Sequence, residues 1–313
     1  MHDMAINTKR AGQAGAYETV LATGQRVNWQ IEDIIGGDKQ LDFARPFMPE
    51  ALARTAGLDF LSPAERTVLN QIRGHEYLNL FGLVEEFILP FVLDHARPQL
   101  RSDDYKVRAL LQFAAEEAKH IHLFKRFRDE FTADFGTDCA VIGPPDAIAR
   151  AVLAHHPLAV ALVVLHIEWM TQRHYLESVR DDGGLDAQFC SLLRHHWMEE
   201  AQHTKLDTLM VEALAEMCTP AEIERAIEEY FEIGGLLDAG LAEQVAFNFD
   251  ALEQAIGRSL DHAERRAYAA AQTQALRWTY LGSGMSHPKF LDTVGALGPA
   301  GRARIEAAVP TFS

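Results

Sequence analysis

Cysteine is scarce in this chain of 313 residues: Cys139, Cys190 and Cys218 are its only three, widely separated and odd in number. They form no CxxC pair, so a disulfide-stapled scaffold and a thiolate zinc site are excluded. The thiols read as reduced side chains of a cytoplasmic protein. Basic residues are also few. Lys and Arg total 29 against 45 Asp and Glu, a formal net charge of −16, which argues against nucleic acid and anionic membranes as partners. Long apolar runs are missing as well. The longest, Leu158 to Leu165, is soon broken by His166 and Glu168. A spanning helix needs about 20 apolar residues, so none is expected. The N-terminus, Met1-His2-Asp3-Met4, lacks the basic-then-apolar pattern of a signal peptide. No strand-like alternation and no nicotinamide or flavin fingerprint is present.

Helix signals are abundant. Ser62-Pro63-Ala64-Glu65 is a capping box with proline at the first helical position, opening a helix to about Arg97. A second helix fits 103–133. A third runs from about 146 to 180, with a kink expected at Pro157, and a fourth from 185 to 217. Thr219-Pro220-Ala221-Glu222 opens further helices to about 282, with short ones over 287–310. Residues 1–60, interrupted by glycines and prolines, read as an irregular arm with short helices. The expectation is one all-α domain over 1–313: the arm, a helical-bundle core over 62–217 and C-terminal helices over 220–310. The core helices form two hairpins, 62–133 and 146–217.

Each hairpin carries the same five-residue pattern on its second helix. Glu116-Glu117-Ala118-Lys119-His120 and Glu199-Glu200-Ala201-Gln202-His203 both read E-E-A-x-H. Composition alone predicts about 0.1 occurrences of E-E-x-x-H. Residues i and i+3 share a helix face, so Glu117/His120 and Glu200/His203 can each bring a carboxylate and an imidazole to one point. Four-helix di-iron bundles add one Glu from each remaining helix. Glu168, alone in an apolar stretch, answers for the third helix. The first helix offers Glu85 or Glu86. Glu85 shares a stripe with Leu78, Phe81, Ile88 and Val92, whereas Glu86 joins Glu76, Asn79 and Asp94 on a stripe that reads as solvated. Glu85 is favoured and Glu86 stays open. Glu116 and Glu199 are expected to accept an N–H from the ligating histidines, and Asp207 is a further candidate to orient His203. A carboxylate-rich, two-histidine set suits iron or manganese better than zinc.

These residues resemble the ferritin-like di-iron carboxylate superfamily. His196 stands four residues before Glu200 and seven before His203, and this H-x-x-x-E-x-x-H face resembles the p-aminobenzoate N-oxygenase family, in which a third histidine joins the usual ligands. The resemblance spans about residues 65–215. It implies Glu85, Glu117, His120, Glu168, His196, Glu200 and His203 as ligands of two iron ions (Fe2+/Fe3+), with manganese as an alternative in one or both positions. It further implies a ferritin-like bundle that activates O2 and oxygenates the nitrogen of a small-molecule amine. Electrons would come from an external reductase or ferredoxin. The alternatives are another di-iron oxidase, desaturase or hydroxylase acting on an acyl or small organic substrate and, behind it, a non-catalytic iron-binding bundle. A homodimer is compatible with the long apolar helices. Arg173 and Tyr175 are candidate substrate anchors, and Phe81, Phe113, Phe124, Trp169, Met170 and Trp197 candidate pocket linings.

Overall fold

The computed structural model describes residues 15–101 and 104–313. Among these the chain is all-α, apart from one isolated bridge between Gly36 and Lys39. Helices α1 (Pro63–Ala96), α2 (Asp104–Phe135), α4 (Pro157–Arg173) and α5 (Ala187–Ala215) form a four-helix core. Between the hairpins lies a short α3 (Pro145–Leu153). After the core come α6 (Pro220–Ile256), α7 (His262–Arg277) and two short helices, Pro288–Leu297 and Pro299–Ala308.

The boundaries follow local chemistry. Ser62 and Glu65 close a reciprocal cap on α1, and Thr219 and Glu222 do the same on α6. Asp186 accepts the Phe189 N–H to start α5. The third core helix differs from the expected kinked 146–180: it is broken in two. The His156 imidazole accepts the Leu158 N–H, and Pro157 sits in the first turn, so the proline starts a new helix instead of bending an old one. After Arg173 the helix widens into a π-helical turn, His174–Val179.

The arm is anchored by α1. Asn70 accepts the N–H groups of Phe47 and Met48 and donates to the Met48 carbonyl, while Gln71 donates to the carbonyls of Phe43 and Arg45. The buried Phe47 and Phe189 rings stack 5.2 Å apart. No helix is long and apolar enough to cross a membrane among the described residues.

One stripe of α1 departs from expectation. Glu76 and Asn79 are buried, not solvated: α6 packs over Glu76, and Arg128 of α2 donates to Asn79 at 2.8 Å. Arg73 and Glu76 pair at 2.5 Å, both about 1% exposed, and Asn248 of α6 donates to Glu76 at 2.6 Å. Asp94, further along, is exposed as the stripe suggests.

Two buried histidines set an acid limit. His75 lies against Phe131 and Asn79, and burial pushes its pKa down to about 4. His174, held between the Tyr77 hydroxyl and Ser283, is pushed down to about 3 by burial and by Arg173. Unfolded histidine titrates near 6.5, so between about pH 6.5 and 4 only the unfolded chain takes up these protons. Stability is therefore full above that window and falls as pH drops, each histidine contributing up to about 1.4 kcal/mol per pH unit. Urea unfolding across pH 4.5–7 should show this slope, and His75→Phe should flatten it by roughly one proton.

Candidate metal centre

All seven sequence-derived positions lie inside the bundle, none more than 2% exposed. They fall into two groups of four whose donor atoms lie within 4.8 Å of one another. The first comprises Glu85 of α1, His120 of α2, and His196 and Glu200 of α5. The second comprises Glu117 of α2, Glu168 of α4, and Glu200 and His203 of α5. Glu200 belongs to both. Its Oε1 is 2.6 Å from His196 Nε2 and 3.2 Å from His120 Nδ1, and its Oε2 is 2.7 Å from His203 Nδ1. Glu86 joins neither group and is partly exposed.

One expectation changes. Glu200 and His203 serve the same group, but Glu117 and His120 do not: His120 Nδ1 lies 4.0 Å from Glu117, which instead approaches His203 at 2.9 Å. Residues three apart share a helix face but are displaced along the axis, so on α2 they reach adjacent points.

The donor set fits two divalent cations. Glu85 Oε2, both Glu117 oxygens, Glu168 Oε2 and His120 Nδ1 are buried without a hydrogen-bond partner. Leaving such atoms unpaired is costly, and a cation satisfies them together. Four carboxylates supply four formal negative charges, which two divalent ions balance. Without cations the carboxylates cannot all ionise. Burial, with the charges of Glu85 and Glu200, holds the Glu117 carboxyl well above the usual range, and burial and Glu200 do the same for Glu168. Burial also opposes ionisation of Glu200, but His203 and His196 outweigh it and hold this carboxyl well below its ordinary value.

Two further carboxylates fix the imidazoles. His120 Nε2–H donates to Glu199 at 2.8 Å, and His203 Nε2–H donates to Glu116 at 2.8 Å. Each leaves Nδ1 turned toward the cluster. The arrangement is reciprocal: the acceptor for the α2 histidine comes from α5, and the acceptor for the α5 histidine from α2. Lys119 holds Glu199 at 2.5 Å and Gln112 holds Glu116 at 2.8 Å. Glu199→Ala should weaken metal binding about 10–100-fold while leaving the helical fold intact, measured by competition with a chelator and by circular dichroism.

Sequence reasoning missed Trp29. Its ring stacks on His120 with centroids 6.0 Å apart, and Lys119 Nζ lies 3.7 Å above it. No periodic signal marks the arm, so nothing in the sequence pointed there. Other candidates lie apart from the two groups. Asp207 is buried and makes no bond to His203, whose ring nitrogens are engaged by Glu116 and the inner carboxylates. Arg173 is tied to Ser283 and Ser286. Tyr175 and Trp197 stack on each other, and Trp169 stacks on His287. Phe113 packs on His203 at 4.0 Å and Phe124 on His196 at 5.1 Å, forming an apolar jacket. The three cysteines are free. Burial, with help from nearby aspartates, pushes the Cys139 thiol up to about 12 and the Cys190 thiol up to about 11, so neither is an activated nucleophile.

A cavity of about 330 Å³ lies beside the cluster, walled by α1, α3, α4 and α6. Phe81, Val84 and Ile167 line it, and the same three residues border Glu85, Glu168, His196 and Glu200 on their other side. Phe81 and Met170 are the two expected pocket residues that face it.

No protein-family model matches the chain, and no curated protein does. Among solved structures it is similar to R2-like ligand-binding oxidases. One, a variant with an aerobically reconstituted Mn/Fe cofactor, is 14% identical with a TM-score of 0.45, covering 84% of this chain and 92% of that one. Another, with an aerobically reconstituted Fe/Fe cofactor, is 14% identical with a TM-score of 0.44 and the same coverage.

Proposed function

We propose that the chain is a non-haem di-iron oxygenase that oxygenates the nitrogen of a small-molecule amine. The observation that carries this reading is the pair of buried four-residue groups sharing Glu200, one of them with two imidazoles. Glu85, His120, His196 and Glu200 would hold one ion, and Glu117, Glu168, Glu200 and His203 the other. Iron, or manganese in one or both positions, would supply the redox chemistry for O2.

The protein's part is to bind, orient and keep water out. Glu116 and Glu199 fix the tautomers of His203 and His120. Phe113 and Phe124 cover the imidazoles, and the adjacent cavity presents the substrate. The third imidazole, His196, would hold one ion where an oxygen donor would otherwise stand. This supports nitrogen oxygenation, because it is the feature shared with the p-aminobenzoate N-oxygenases. The apolar cavity favours a second reading, oxidation of a carbon centre as in desaturases and hydroxylases. In either case electrons come from an external reductase or ferredoxin in the cytoplasm.

The test is to load the chain anaerobically with ferrous iron, count bound metal, then admit O2 with an arylamine and a reductant. About two irons per chain and amine-dependent O2 uptake are expected. Fewer than one iron per chain overturns the reading. Two irons with oxidation at carbon only would select the second.

A further inference from the structure

The chemistry of the cavity beside the cluster selects among substrates. Its walls are aliphatic and aromatic except for two polar residues, Tyr280 and Glu243. No arginine, lysine or histidine is among the residues lining it. Its one charged side chain, Glu243, is exposed and negative. A bound carboxylate would thus leave water for an apolar space without a cation to meet it, and with a like charge as its neighbour. A neutral, largely apolar molecule pays no such cost and buries its surface against Phe81, Val84 and Ile167, on the wall toward the cluster.

We infer that this cavity is the substrate site and that it takes a neutral apolar molecule bearing no anionic group. Building on the proposed amine chemistry, this is an arylamine, uncharged at neutral pH, with an alkyl substituent in place of a carboxylate. An aminobenzoate is discriminated against. Glu243 is therefore a specificity-determining residue that touches neither metal group.

The cavity can be blocked without disturbing the metal ligands. Gly240 of α6 and Ile142 both line the cavity, and a Cβ at 240 would sit a crowded 3.1 Å from Ile142 Cδ1, so leucine at this position narrows the space. Ala151 of α3 gives a second blocking position, Ala151→Leu, on a separate helix.

Binding of 4-butylaniline and 4-aminobenzoate to the full metal-free chain, followed by calorimetry, tests the inference. The expected result is at least tenfold tighter binding of 4-butylaniline. Gly240→Leu or Ala151→Leu should weaken it at least tenfold. Glu243→Arg should strengthen 4-aminobenzoate at least fivefold while leaving 4-butylaniline within twofold. Equal binding of the two probes, or 4-butylaniline binding that both blocking variants leave intact, overturns the inference. Counting metal after a portion of the same protein is loaded with ferrous iron keeps the two readings apart. Two irons per chain without 4-butylaniline binding overturns the cavity assignment alone. Specific binding with fewer than one iron overturns the di-iron reading alone and leaves the ligand site standing.

Discussion

Replacing Glu200 by alanine will empty both halves of the metal centre. Bound iron should fall from about two per chain to below roughly 0.5, and turnover by at least about a hundredfold. The size of the effect follows from position: Glu200 is the one carboxylate present in both groups, with one oxygen toward His196 and His120 and the other toward His203. Removing it would take a ligand from each ion and the one negative charge that both halves share. Glu86→Ala is the matched control. That carboxylate lies one residue from Glu85 but outside both groups, so metal content should not change. Metal analysis after desalting, with circular dichroism to show that the helices persist, separates loss of the site from loss of the fold. Equal iron content in wild type and Glu200→Ala would refute the shared-ligand assignment.

The second large effect is on stability, away from the metals. Arg73→Met should destabilise the chain by about 3–5 kcal/mol, because it strips the guanidinium from a fully buried Glu76. For a chain of this size that corresponds to a drop in melting temperature on the order of 10 °C. Burial already pushes the Glu76 carboxyl upward, against the pull of Arg73 and Asn248. The double variant Arg73→Met/Glu76→Gln should recover most of the loss, since glutamine carries no charge and can still accept from Asn248. Calorimetry of the single and double variants decides it; a double variant as unstable as the single would show that packing, not charge, dominates here.

Much of this architecture can be read in the sequence. The caps at Ser62 and Thr219 place two helix starts, and the repeated E-E-A-x-H reports the two-hairpin core because its residues must face one another to be satisfied. Glu85 can be preferred over Glu86 from its apolar stripe alone. The same stripe reasoning fails at Glu76 and Asn79. A polar stripe reads as solvated unless another element covers it; here Asn248 of α6, far along the chain, meets Glu76, and Arg128 of α2 meets Asn79. Trp29 is illegible for the same reason: its place on His120 depends on where an irregular arm lands. The cavity arises from the spacing among four helices and leaves no local mark. The His120/Glu117 separation is subtler, because helical periodicity gives a shared face but not which of two neighbouring points each side chain reaches.

The crossed imidazole contacts have a mechanical consequence. Because α2 supplies the Nε2 acceptor for His203 and α5 the Nε2 acceptor for His120, each hairpin borrows one of its histidine's partners from the other. Ion binding and hairpin docking are therefore one equilibrium. A bound ion would act as a rivet between the two hairpins, and every tenfold rise in free metal above the dissociation constant should tighten the docked state by about 1.4 kcal/mol per ion.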